Sequence, residues 1–154
     1  MEDVEISPDD PSRNEVLALL GRHLSFASEH TPPEDVHALD VDGLLDPSIS
    51  FFSARMGEQL VGVGALKMLD GGQAEIKSMH TAEEARGRGV GRALLEHLVG
   101  VARGRGLERV SLETGSMDAF APARALYASA GFDECGPFAD YEPGRSSTFM
   151  TLAL

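Results

Sequence analysis

The chain has 154 residues, 42% of them hydrophobic and 25% charged, which fits one domain burying roughly two-thirds of the surface its unfolded chain exposes. Thirteen basic residues against 25 acidic ones give a formal net charge of −12, a balance that repels nucleic acid and anionic membrane surfaces and favours positively charged partners such as free amines. Cys135 is the sole cysteine, no apolar run approaches the ~20 residues of a bilayer span, and the acidic start Met1-Glu2-Asp3 is unlike a signal peptide; the expectation is a cytoplasmic protein that needs no disulfide, metal or membrane for stability.

In chain order, Val4 to Ile6 reads as a short strand, ended by Ser7-Pro8-Asp9-Asp10-Pro11. Asp10 is placed to cap a helix with Pro11 at its first position, and Val16, Leu17, Leu20, Leu24 and Ala27 recur at spacings of three and four as one buried stripe. A polar break from Ser28 to Pro33 precedes a second helical stretch from Glu34 to Leu45. Ile49 to Arg55 and Gln59 to Lys67 read as a β-hairpin across Met56-Gly57-Glu58, and Asp70-Gly71-Gly72 turns the chain into a third strand, Ala74 to Thr81. Ile76 and Met79 are three apart, which breaks that strand's alternation. A bulge between them puts both on the core side.

Gly89 to Arg103 carries Val90, Leu94, Leu98 and Val101 on one face, an amphipathic helix closed by Gly104 or Gly106. Val110 to Thr114 is a strand, followed by a helix from about Ala119 to Ala130 with Pro122 in its first turn and Gly131 at its end. Phe132 begins a further strand, and Thr148 to Leu154 is the last. The order β, α, α, β, β, β, α, β, α, β, β implies one α/β domain over 1–154, a mixed sheet with helices on both sides.

The run Arg86-Gly87-Arg88-Gly89-Val90-Gly91-Arg92 lies between a strand and a helix and is suited to hold a diphosphate. Glycines let the backbone approach a ligand, and the helix start aims free N–H groups and its positive dipole end at an anion. The run is not a Walker A loop, because Arg92 and Ala93 follow Gly91, and the Rossmann fingerprint fails at Arg92 and Leu94. What remains is Arg-x-x-Gly-x-Gly, read as Arg86, Gly89 and Gly91. Following Glu75 to Thr81 and preceding Ala93-Leu94-Leu95, it resembles the acetyl-CoA loop of the GCN5-related N-acetyltransferases. Downstream, Ala123-Arg124-Ala125-Leu126-Tyr127-Ala128-Ser129-Ala130-Gly131-Phe132 is similar to that family's Ala-x-x-Leu-Tyr-x-x-x-Gly-Phe signature, and Val110 to Thr114 looks like the strand between.

The resemblance implies a twisted, mostly antiparallel sheet whose strands ending at Thr81 and Thr114 splay apart around pantetheine. It implies acetyl-CoA as cosubstrate, no metal, and direct attack of an amine on the thioester. Backbone N–H groups of Gly87, Arg88, Gly89, Val90, Gly91 and Arg92 would hold the diphosphate, with the charge of Arg86, Arg88 and Arg92 around it. Main chain of Met79, His80 and Thr81 would pair with the pantetheine amides and polarise the thioester carbonyl. Tyr127, with an unperturbed pKa of about 10, is the candidate general acid for the thiolate. Glu113 or His80 is the candidate base, either of them through a water. Lys77, Arg124 and Glu75 are candidates to line the acceptor pocket. Phe120 stands where many members have an asparagine that bonds the cofactor, so that bond is either missing from this chain or made by Ser116 or Asp118. Cys135 has no nucleophilic role, since direct transfer needs no covalent step. The expected acceptor is a small-molecule amine or amino acid. The alternatives are a protein N-terminus or lysine and, from another class, a non-catalytic acyl-CoA-binding regulatory module. A protein acceptor needs an open groove and a metabolite a closed pocket, which Ser28 to Leu45 decides. A homodimer through the C-terminal strands is a further expectation of the family.

Overall fold

The computed structural model describes residues 3–35 and 39–154. Among them, strands β1 (Val4–Pro8), β2 (Ile49–Met56), β3 (Gln59–Met68), β4 (Gln73–Thr81), β5 (Arg109–Gly115), β6 (Asp133–Cys135) and β7 (Ser147–Ala153) form one sheet in the order β1-β2-β3-β4-β5-β7-β6. Its helices are α1 (Asn14–His30), α2 (Val41–Leu44), α3 (Val90–Gly104) and α4 (Ala121–Ser129). Every strand pair is antiparallel except β4 with β5, which α3 joins as a crossover. The α/β class and the element order are those the sequence implies.

The two faces of β3 show how the helices divide. Gly62 and Gly64 lie beneath Leu94 and Leu98 of α3, while Val61, Val63 and Ala65, which alternate with them, share a cluster with Val16, Leu19 and Leu20 of α1. His80, opposite Val63, meets His23 of α1, so the two helices sit on opposite faces. Both α3 and α4 stop by the same device. Gly106 and Gly131 have positive φ, and the next residue returns to the last turn: Leu107 N–H to Ala102 O at 3.1 Å, Phe132 N–H to Tyr127 O at 3.1 Å. The Leu-Tyr-x-x-x-Gly-Phe pattern thus has a local physical cause. Gly131 turns the chain, and the rings of Tyr127 and Phe132 close the cap at 6.1 Å.

The parallel pairing of β4 with β5 runs only from Gln73–Arg109 to Ile76–Leu112. Beyond it β4 follows β3 as far as Thr81, and β5 follows β7 as far as Gly115, so the two strands part. The expected bulge lies where they part: Val63 faces His80 and Ala65 faces Lys77, leaving Gly64 opposite both Ser78 and Met79, and Ser78 adopts φ 54°.

Three expectations are corrected. The Asp10 carboxylate accepts from the Ser12 N–H at 2.8 Å and hydroxyl at 2.6 Å, forming a turn of its own, so α1 starts later, at Asn14. Its buried stripe is Val16, Leu19 and Leu20, with Leu17 37% exposed, and the helix runs through Ser28 to His30, whose ring packs on Phe26 one turn back. The second helix is not continuous. It comprises a 3-10 turn at Pro33–Asp35 and the short α2, capped by Asp40 accepting from Gly43 N–H at 2.9 Å, while residues 36–38 of that stretch lie outside the described residues. Lastly, Asp118–Phe120 is a 3-10 turn, so α4 starts at Ala121.

A Cβ on Gly62 would lie 2.8 Å from Leu94 Cδ1, 2.9 Å from Val90 Cγ1 and 3.2 Å from the His80 carbonyl. Gly62→Ala is therefore expected to destabilise the protein by about 1–3 kcal/mol through overpacking. Urea unfolding checks this as a lower midpoint at unchanged slope; an unchanged midpoint would mean that α3 has room to move.

Candidate active site

At the N-terminus of α3, Gly87 and Gly89 adopt φ of 80° and 84°, in the left-handed region where a side chain is disfavoured. The chain turns from Arg86 into the helix with nothing packed within 4 Å above either glycine. No hydrogen bond links the amides of Gly87, Arg88, Gly89, Val90, Gly91 or Arg92 to any acceptor among the described residues; the first paired amide is that of Ala93, to Gly89 O at 3.0 Å. Six donors at the positive end of a fifteen-residue helix make an anion seat. The Arg86 guanidinium lies 5.7 Å over the Phe26 ring and Arg92 donates to Ser129 Oγ at 2.7 Å, so both flank the seat.

The seat opens into a cavity of ≈ 640 Å³ that occupies the gap between β4 and β5. Met79, His80, Thr81, Arg86, Gly87, Gly89, Val90, Gly91, Arg92, Glu113 and Tyr127 all line it. Of the expected site residues, exposed Arg88 does not. Strand alternation sorts the walls. Ala74, Ile76, Val110 and Leu112 pack with α3, whereas Glu75, Lys77, Ser111 and Glu113 point to the face that carries α1.

Tyr127 reaches the cavity from α4. Burial, with the Glu113 charge adding to it, pushes its phenol up to about 12, so it stays protonated. On the α1 face, Tyr141 donates to Glu75 Oε2 at 2.6 Å, and Lys77 Nζ lies 2.7 Å from the Tyr141 oxygen and 3.2 Å from the same carboxylate. Burial first, then the charge of Glu75, holds the Tyr141 phenol far above its ordinary range. His80 Nδ1 is 3.3 Å from His23 Nδ1. Burial lowers His23 to about 4; burial, then His23 and the cations Arg86 and Arg22, lower His80 to about 3. Both imidazoles are uncharged at neutral pH.

The remaining candidates divide. Glu75 and Lys77 line the cavity; Arg124 does not, but donates to the carbonyls of Gly115 at 2.6 Å and Met117 at 3.0 Å, pinning the turn that carries Phe120. Ser116, whose hydroxyl donates to the Arg145 carbonyl, and exposed Asp118 stay outside the wall, whereas Phe120 lines it. Cys135 is also outside, its thiol pushed up by burial. Sequence reasoning missed Tyr141, His23 and Phe26. Each is an isolated residue on a helix or loop that only the fold carries to β4 or to the cavity, and no local pattern marks them.

An anion seat at a helix start, open to a gap between two parting parallel strands, defines a protein that takes an acyl-CoA and passes on its acyl group. Residues 14–132 match the model of the acetyltransferase (GNAT) family. The chain belongs to that family and is an acetyl-CoA-dependent N-acetyltransferase. It is 46% identical over 151 residues to the uncharacterized N-acetyltransferase YsnE of Bacillus subtilis, covering 98% of this chain and 100% of that one. It is 37% identical over 155 residues to the IAA acetyltransferase of Azospirillum brasilense, covering 100% of both. The fold matches a Bacillus subtilis acetyltransferase solved in complex with CoA, with a TM-score of 0.74 at 20% identity over 99% of each chain.

Gly89→Glu places a carboxylate in the anion seat and a side chain at positive φ. Calorimetric titration with acetyl-CoA is expected to show affinity reduced by more than about tenfold; retained affinity would put the diphosphate elsewhere. The histidines make a second prediction. Their folded pKa values lie below the unfolded value of about 6.5, so the stability they contribute is complete above pH 6.5 and is lost as pH falls towards 4, by up to about 1.4 kcal/mol per pH unit for each. Urea unfolding between pH 7.5 and 5 is expected to show this slope, shallower in His23→Leu.

Proposed function

We propose that this acetyltransferase acts on the primary amine of a small molecule. The observation that carries the reading is the pair of ties across the α1 face of the gap. The Phe26 ring of α1 meets the Phe120 ring at 5.4 Å, and Ser146, next to β7, donates to Asp35 Oδ2 at 2.7 Å. Both ties join the segment after β1 to elements beyond the gap. A polypeptide acceptor would need the groove that they cross, whereas a metabolite needs the enclosed space they leave.

In this reading the diphosphate sits on the amides of Gly87 to Arg92, and pantetheine runs between β4 and β5, pairing with main chain at Met79, His80 and Thr81. A backbone N–H there polarises the thioester carbonyl. The neutral amine forms its N–C bond to that carbonyl carbon, the C–S bond breaks, and the phenol of Tyr127 gives its proton to the departing sulfur. Glu113, on the α1 face, takes the amine proton through a water. Glu113 is preferred to His80 because its charge attracts a cationic amine, whereas burial opposes a positive charge on the His80 ring. With its single cysteine, the enzyme suits the reducing cytoplasm.

Release of CoA against a panel of free amines and short peptides tests the acceptor; turnover of peptides alone would overturn the small-molecule reading. Tyr127→Phe is expected to lower kcat by about 10²–10⁴ at unchanged acetyl-CoA affinity. The wild-type kcat should also show no alkaline fall near pH 10, because the phenol remains protonated up to about 12. An unchanged rate in Tyr127→Phe removes the residue from this role.

A further inference from the structure

We propose that the acceptor is an amine with an apolar, ring-sized body and no carboxylate, its body seated against Phe26 and Phe120 and its nitrogen towards Glu113. This rests on the small-molecule reading above and names the class of molecule.

The ring wall is built into the fold. A Cβ on Gly115 would collide with the Phe120 ring, so this strand end is shaped around it, and Arg124 clamps the same turn through two carbonyls. Phe26 stands edge-on to Phe120, with an interplanar angle of 79°, and packs on His30 at 4.5 Å. Both phenylalanines are half-buried and line the cavity, and beside the Arg86 guanidinium that lies 5.7 Å over Phe26 the two rings offer apolar surface to whatever enters. Edge-to-face arrays of this kind accept a further ring or a compact aliphatic group.

The charges on the wall select the rest of the molecule. Besides Arg86 and Arg92 at the anion seat, the lining cation among the described residues is Lys77, which is engaged with Glu75 and Tyr141. Against it stand the carboxylates of Asp35, Glu75 and Glu113, while His23 and His80 carry no charge. An ammonium approaching Glu113 meets attraction. A carboxylate beside the amine, as in an amino acid, would be desolvated among like charges. The cavity also has to hold the pantetheine end, so only a small body remains to be accommodated.

The test compares 2-phenylethylamine, L-phenylalanine and putrescine as acceptors at saturating acetyl-CoA. The expected kcat/KM for 2-phenylethylamine exceeds both others by at least about tenfold. In Phe120→Leu and Phe26→Leu its KM rises by about tenfold, with an unchanged far-ultraviolet circular dichroism spectrum as the check on folding. Preference for L-phenylalanine or putrescine, or an unchanged KM in both variants, overturns the inference and leaves small-molecule acetyl transfer standing. Acetyl-CoA binding with no amine turned over at all overturns that reading together with the inference.

Discussion

The constraint on which the site depends is the length of the β4–β5 pairing. These parallel strands share a ladder only from Gln73–Arg109 to Ile76–Leu112 and then follow different neighbours, β4 with β3 and β5 with β7. Splitting the centre of a sheet exposes backbone polar groups that cost free energy unless something pairs with them. Here the sheet remains whole because each strand keeps one full partner, and the gap leaves main chain open for a ligand with amides of its own. The bulge at Ser78 and Met79 sets the direction of this edge, with Met79 packed towards α3 and His80 towards α1.

The same split separates two chemical environments. On the α3 side lie the anion seat, the hydrocarbon of Leu94, Leu98 and Leu112, and Tyr127 held protonated. On the α1 side lie Glu75, Lys77, Glu113 and two uncharged histidines. A chain of net charge −12 gathers Arg86, Arg88 and Arg92 at one helix start, which favours an anion there. The acidic remainder favours a cation on the other side.

Legibility in the sequence followed the range of the contacts. The loop from Arg86 to Arg92, the α3 stripe and the closing signature through Phe132 depend on residues within one or two turns of each other, and each could be read directly. The bulge was legible too, because Ile76 and Met79 break a period of two. The start of α1 was misread where two local effects competed, since Asp10 bonds Ser12 in a turn of its own instead of capping the helix. The α1 side of the gap was the least legible. Tyr141 meets Glu75 across 66 positions, His23 meets His80 across 57, and Ser146 meets Asp35 across 111. No spacing encodes such pairs; they follow from the placement of α1 and the β6–β7 loop over a gap that two other strands create.

Charge control on the α1 face follows from burial more than from pairing. A cationic amine drawn towards carboxylates must lose its proton before its lone pair can attack, and a strongly negative pocket opposes that loss. The structure moderates the field. Lys77 and the Tyr141 hydroxyl both engage Glu75, and desolvation keeps His23 and His80 neutral, so neither ring adds to the field. The charge of Glu113 is one cause of the raised pKa of the Tyr127 phenol. A carboxylate that makes its neighbour a firmer proton holder would, as the proposed base, couple the two halves of acetyl transfer. In the proposed mechanism, a proton passing from the amine to Glu113 would remove one cause of the raised Tyr127 pKa and so ease delivery of the phenol proton to the thiolate.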